Sequence, residues 1–348
     1  MSIKRPYDFA SDNAAGVDPR IFAAMMDCNP GAASPYGADE ISAQVNDLYS
    51  AVFEHEVFVF ATPTGTAANG LALGAITPPY GAIFCHEKAH IYTTECGAPE
   101  FFSGGARQIP LPGSHGKLSP ETLRRAITPY QSGNPHQLRA SALSLTQATD
   151  AGTVYSLEEL GALIETARAA GLRVHLDGAR FANAMVSLGC SPADMTWRAG
   201  VDILALGTTK NGTMNAEAVI AFDRETAETL RYLHKRAGFL QSKMRFTAVQ
   251  LNAYVRDGLW IDNARRANGN AARLATAITT CKGARLENPV EANEIFVHFS
   301  QAIVARLAEA DIVLRPWPHP DGDMFRAVAS FRDPDELIAR FEAALHAN

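Results

Sequence analysis

Apolar residues recur along this chain in two alternating rhythms. Ile41, Val45, Leu48, Tyr49, Val52 and Phe53 fall on one face at helical spacing and predict an amphipathic helix over 38–54. The run Val57 to Ala61 is continuous, rich in Val and Phe and too short for a helix, so a buried strand is expected there. Pro63-Thr64-Gly65-Thr66 breaks the run, and Ala67 to Ile76 reads as helix. The alternation continues with strands expected at 82–85, 106–111, 140–145, 172–176 and 201–206, and one more, antiparallel, at 218–222. Ser119-Pro120-Glu121 opens a helix with serine as N-cap and proline at the first helical position. Ser156-Leu157-Glu158-Glu159 is a capping box for a helix that Gly171 ends.

Strands alternating with helices over 55–222 predict an α/β layer around a mostly parallel sheet of seven strands. Beyond residue 223 the rhythm changes. Long helical stretches fill 224–280, with a run of Asn and Arg at 263–273. Short strands follow at 295–299, 312–315 and 325–329, and a last helix is capped at Asp333-Pro334-Asp335-Glu336. This predicts a small C-terminal α+β domain, with the division at 1–250 and 251–348 and a helical junction rather than a Pro/Gly linker.

Composition narrows the classes. The 348 residues are 47% hydrophobic and 20% charged, as in soluble globular proteins. A net charge of −6 with no basic block argues against nucleic acid or an anionic membrane as partner. Five scattered cysteines with no C-x-x-C pair leave neither a disulfide framework nor a metal site to expect. Met1 to Asn13 has no apolar leader core, and no apolar run reaches membrane-spanning length, so the cytoplasm is the expected compartment.

The candidate chemistry lies at strand ends, where ligands collect in parallel sheets. His175-Leu176-Asp177-Gly178-Ala179-Arg180 and Gly207-Thr208-Thr209-Lys210-Asn211-Gly212 each follow an apolar run. Lysine and aspartate presented together suit pyridoxal phosphate. The amine can form a Schiff base with the aldehyde, and the carboxylate can pair with the protonated pyridine nitrogen. The plain alternatives are a solvated Lys210 and an Asp177 that caps a helix over 178–188. Arg180 could reach the ring oxygen or a substrate carboxylate, or be an ordinary surface arginine. Gly65-Thr66 at a helix start offers backbone amides to a phosphate, with Lys243 or Arg245 as counter-charge. His90, after a strand, could stack on the ring and move protons, although a lone histidine is more often structural.

At these residues the chain resembles the threonine aldolases of the aspartate-aminotransferase-like, fold type I pyridoxal-phosphate enzymes. Ser11-Asp12, Pro35-Tyr36-Gly37, Gly65-Thr66-Ala67-Ala68-Asn69, Ala89-His90, the Asp177-Gly178-Ala179-Arg180 segment and Thr209-Lys210 follow in family order. Phe181-Ala182-Asn183-Ala184 and Ser242-Lys243-Met244-Arg245-Phe246 resemble the bacterial low-specificity branch. The resemblance implies that Lys210 carries the cofactor, Asp177 binds its ring nitrogen, His90 stacks on the ring, and Gly65 and Thr66 hold the phosphate. It implies that Ser11, Arg180 and Arg326 hold an amino-acid carboxylate and that Tyr36 arrives from a neighbouring subunit. A homotetramer built from tight dimers is then expected. The implied reaction is retro-aldol cleavage of L-threonine, L-allo-threonine or phenylserine to glycine and an aldehyde, with His90 or its water as base. Transamination or β-elimination would use the same lysine, aspartate and phosphate turn, and a non-catalytic scaffold would keep only the fold. One departure stands out. Many family members carry Glu-Asn-Thr-His-Asn where this chain has Thr146-Gln147-Ala148-Thr149-Asp150, so Thr149 replaces a histidine that is a candidate for touching the β-hydroxyl.

Overall fold

The computed structural model describes residues 7–347; the first six residues of the stretch read for a leader lie outside the described part, as does Asn348. The central sheet contains β1 (Phe58–Thr62), β2 (Gly81–His86), β3 (Arg107–Leu111), β4 (Arg139–Thr146), β5 (Arg173–Gly178), β6 (Ile203–Leu206) and β7 (Glu217–Ala221). Their order is β1-β7-β6-β5-β4-β2-β3. Only β7 runs against the rest, pairing antiparallel with β1 and β6; the remaining pairings are parallel. β2, β6 and β7 are buried along their whole length. Strands covered on both faces have no polar side to show, which is why they read as unbroken apolar runs. On one face Leu143, Val174 and Leu204 pack against Tyr49, Phe53 and Leu163 of helices Glu40–Phe53 and Leu157–Ala169. On the other, Ile83, Ala142 and Val219 pack against Leu71 and Leu73 of helix Gly65–Ile76.

Local signals place the helices as expected. Ser119 accepts from the Thr122 N–H. Both halves of the Ser156–Glu159 capping box form, and Gly171 follows that helix at φ 74°. The stretch 224–280 resolves into helices Arg224–Arg236, Arg245–Val255 and Leu259–Thr280. The last of these joins two cores. Leu259, Trp260 and Ala264 pack with the large sheet, whereas Ala271, Leu274 and Ile278 pack in the small unit.

The small unit is an antiparallel sheet, ordered β10-β11-β9-β8, of β8 (Ala284–Leu286), β9 (Glu294–Phe299), β10 (Arg315–Pro316) and β11 (Met324–Val328). Helices Gln301–Glu309 and Asp335–His346 cover it. The N-terminal segment belongs to the same core. Phe9 stands edge-on to Phe341 at 5.8 Å, and its carbonyl accepts the Val328 N–H at 2.7 Å.

Two local expectations are corrected. The strand expected at 312–315 is reduced to Arg315–Pro316. Ile312 and Leu314 alternate with exposed Val313 because they plug the small core, and Val313 bonds Asp8 rather than a sheet strand. The last helix is not capped by Asp333: it starts after Pro334 with no side-chain cap. The Asp333 carboxylate instead accepts the Ser330 N–H at 2.7 Å and closes the preceding turn. No helix among the described residues is long and apolar enough to cross a membrane.

Candidate active site

Six parallel strands end at one edge of the large sheet, and the turns after β1, β2, β4, β5 and β6 converge there. Two glycines let the central pair close up. The Gly207 N–H bonds the Gly178 carbonyl at 2.8 Å. A Cβ at Gly207 would lie 2.4 Å from the Ala179 carbonyl oxygen, and one at Gly178 would lie 2.8 Å from Leu204. This contact brings Asp177 and Lys210 into one cleft of about 260 Å³, lined also by Gly65, Thr66, Asn69 and His90. Lys210 sits in the short turn Thr209–Asn211. Buried Glu217 holds that turn by accepting from the Thr208 N–H and the Thr209 hydroxyl. Lys210 itself makes no hydrogen bond or ion pair with any described residue.

Asp177 is buried, and both of its oxygens are engaged. Oδ1 accepts the Ala179 N–H at 3.0 Å and Oδ2 accepts the Asn69 amide at 2.9 Å. It does not cap a helix, because the next one begins at Phe181 with Arg180 in the cap position. The same Asn69 amide donates to Glu95 at 2.8 Å, and Glu95 lies 2.7 Å from His90 Nδ1. That hydrogen bond raises the His90 pKa against the opposing effect of burial, and nearby Asp177 and Asp150 add to the rise. Glu95 was not singled out from sequence, and Asn69 entered only as part of a motif. Neither has a local signature: Asn69 meets Asp177 108 residues on, and Glu95, although near His90 in sequence, is bonded by Asn69 26 residues back. Thr64 caps helix Gly65–Ile76 by accepting the Ala67 N–H at 3.1 Å, leaving the first amides without helical partners. A Cβ at Gly65 would meet nothing within 4 Å.

At the small-unit side, Arg180 is buried rather than on the surface. Its Nε and Nη2 bond Asp12 at 2.8 and 3.0 Å, and Nη1 lies 2.8 Å from Glu294. Glu294 lies in turn 3.3 Å from Arg326 Nε. Burial works to raise the Asp12 carboxyl, but Arg180 and Lys210 outweigh it and hold it below its ordinary value. Ser11 adjoins this network through Asp12, its hydroxyl accepting the Asn13 N–H at 3.1 Å.

Three candidates are not brought to the cleft within this chain. The Tyr36 N–H bonds the Ser242 carbonyl at 3.1 Å, and its ring lies 4.6 Å from the Lys235 ammonium. Arg245 bonds the carbonyls of Gly31 and Asn29 at 3.1 and 3.2 Å, and Lys243 is exposed. All three share one patch beside a groove of about 600 Å³ lined by Tyr36 and Met244.

After β4, Thr149 is buried in its own turn, its hydroxyl 2.7 Å from that of Thr153 and accepting the Ala151 N–H at 3.2 Å. Asp150, next to it, does reach the site. Its Oδ2 accepts the His90 N–H at 3.1 Å. Burial and the charges of Asp177 and Glu294 push its carboxyl up to about 7, against His90 and Lys210.

A sequence profile of the family described as beta-eliminating lyase matches residues 8–302. The chain is 43% identical over 299 residues to a low specificity L-threonine aldolase of Pseudomonas aeruginosa, covering 86% of each. It is 26% identical to the enzyme of that name from Saccharomyces cerevisiae, over 85% of this chain and 74% of the other. The structure superimposes on a threonine aldolase of Leishmania major with TM-score 0.90, at 28% identity and 98% coverage of both chains. An aspartate aminotransferase of Rhodobacter sphaeroides, 17% identical, matches with TM-score 0.70 over 98% of this chain and 91% of its own, which shows a shared fold. The chain therefore belongs to the threonine aldolases within the beta-eliminating lyase family, which are pyridoxal-phosphate-dependent lyases of fold type I.

Proposed function

We propose that this enzyme cleaves L-threonine, L-allo-threonine and related β-hydroxy-α-amino acids between Cα and Cβ, giving glycine and an aldehyde. One observation carries the reading: a single strand-edge cleft holds a lysine unpaired among the described residues and a buried aspartate with both oxygens bonded, beside a buried arginine network. The residues fit pyridoxal phosphate. Lys210 is uncommitted, Asp177 is fixed in one orientation, and the open side of Gly65 leaves room at a helix start suited to an anion. When bound, the cofactor supplies an electron sink for the pair left on Cα.

The chain's own residues orient and balance charge. Lys210 would hold the cofactor's aldehyde end, Asp177 its ring nitrogen, His90 the ring face, and Gly65 and Thr66 its phosphate. Ser11, Arg180 and Arg326 would hold the substrate carboxylate. Glu294 already lies between the two arginines, so an incoming carboxylate competes with it for them. Held by two guanidinium groups, a substrate loses most of its rotational freedom and presents Cα–Cβ in one direction.

The phosphate end lacks charge. Among the described residues lining the cleft, only Lys210 and His90 are basic. Tyr36, Lys243 and Arg245 lie together on an exposed patch, and a second copy docking that patch over Gly65–Thr66 would complete the site. We therefore take the enzyme to be a homo-oligomer, a tetramer of tight dimers, working in the cytoplasm.

The test is product analysis. The purified holoenzyme given L-threonine, and in parallel L-phenylserine, should form glycine and aldehyde in equal amounts. An oxo acid in their place would overturn the aldolase reading in favour of transamination or elimination. Lys210→Ala should lose the cofactor's visible band and all turnover; full activity would refute its role.

A further inference from the structure

We propose that Asp150 is the catalytic base that takes the β-hydroxyl proton of the substrate, a role that rests on the aldolase reading above. Asp150 stands on a fixed turn. β4 lies parallel beside β5, with Thr146 level with Asp177. The Gln147 N–H then bonds the Asp177 carbonyl at 2.8 Å, and the Gln147 side chain bonds both backbone groups of Tyr155, at 3.0 and 2.8 Å. Thr149 staples the turn from within. Gly152, at φ +79°, closes it against β9: a Cβ there would lie 2.5 Å from the Glu294 carbonyl oxygen. The carboxylate between these fixed points is thus held between the cofactor end and the arginine end of the site.

Its two oxygens differ. Oδ2 is pinned by the His90 N–H. Oδ1 has no hydrogen-bond partner among the described residues, and the residue is half-buried rather than sealed. The charged groups facing it come from every neighbouring element: His90 after β2, Asp177 at the end of β5 and Arg180 after it, Lys210 after β6 and Glu294 on β9. His86 and Lys88 line a small cavity together with Asp150. An acceptor free at one oxygen therefore sits among the groups assigned to cofactor and substrate.

The other candidates are engaged. His90 Nδ1 is paired with Glu95, and that pairing favours the imidazolium, which has no lone pair to offer. The Thr149 hydroxyl is spent on its own turn. A carboxyl raised to about 7 is matched to taking a proton near neutral pH and giving it back. In the step itself the substrate O–H bond breaks towards Asp150 Oδ1. The freed oxygen pair forms the aldehyde C=O, and the Cα–Cβ bond breaks. Its electron pair remains on the Cα side, for which a bound cofactor would supply the electron sink. Asp150 leaves the step as a neutral carboxylic acid.

The competing role is structural: Asp150 accepting the His90 amide proton and nothing more. Asp150→Asn keeps that acceptor, so the holoenzyme variant separates the two. We expect its visible band to be retained and its exchange of the glycine α-proton with D2O, which involves no β-hydroxyl, to stay within about threefold. Its kcat/KM for L-threonine cleavage should fall about 10²–10⁴-fold. Cleavage within about threefold of wild type, or equal loss of cleavage and exchange, would overturn the assignment. Should the variant fail to fold, the wild-type enzyme answers the same question. Cleavage should show an acid limb below about pH 7 that glycine exchange lacks and that His90→Asn retains. A limb shared by both reactions, or absent from cleavage, overturns the proposal. A wild-type holoenzyme that exchanges glycine but cleaves no β-hydroxy amino acid overturns the aldolase reading itself, with this base.

Discussion

Glu95 sets the charge on His90. With the carboxylate 2.7 Å from Nδ1, the ring titrates above its ordinary value, because the hydrogen bond outweighs the opposing effect of burial. The stability this pair contributes is complete below the unfolded histidine value of about 6.5 and is lost as pH rises through the raised folded value. Glu95→Gln should therefore move the His90 pKa down, read from its ring protons by NMR titration; an unmoved value would remove Glu95 from this role. Sequence showed the residues whose setting is local. Lys210 and Asp177 each end an apolar strand and stand out without any partner being known. Asn69, Asp150 and Glu294 act only through partners far along the chain, such as Asn69 with Asp177, 108 residues on. No local pattern marks that kind of residue. Asp150 is hidden further beside Thr149, where the visible departure from the family pattern lies and whose hydroxyl fastens the loop.

At the scale of elements, the site depends on two strands that meet at their ends. Gly207 permits the contact, since a Cβ would lie 2.4 Å from a backbone oxygen that has no rotamer to move. Gly207→Ala should cost about 1–3 kcal/mol in urea unfolding and weaken cofactor retention, because β6 must shift away from β5. Unchanged stability and a full visible band would show that the strands have slack. The elements legible in sequence were those with their own punctuation, such as the Ser156–Glu159 capping box and the strands sealed on both faces. The segment 312–315 misled because alternation alone does not make a strand. Ile312 and Leu314 alternate to fill a core, whereas β10 itself spans only Arg315–Pro316. Asp333 misled in a similar way, its carboxylate turning back to Ser330 instead of forward into the helix.

For the whole molecule, the proposed sharing of sites between copies has a direct readout. Tyr36→Ala and Lys210→Ala should each be inactive alone. Unfolded together and refolded, they should regain activity in about a quarter of all sites, since each mixed dimer holds one intact site and one doubly damaged one. No recovery would mean that Tyr36 serves its own chain or none. The parallel layer was legible in the 55–222 alternation, but the way its ends are tied together was not. Asp12 pairs with Arg180, 168 residues on, and with Asn293, 281 residues on. That tie has a consequence for how the protein is made. At about 5–20 residues per second, the ribosome delivers Asn293 on the order of 15 to 60 seconds after Asp12. Through that interval Arg180 has its Asp12 partner but neither Glu294 nor, beyond it, Arg326. The arginine end of the pocket is thus finished only after Glu294 and Arg326 have followed Arg180 from the ribosome, so a firmly held substrate is expected only after that point.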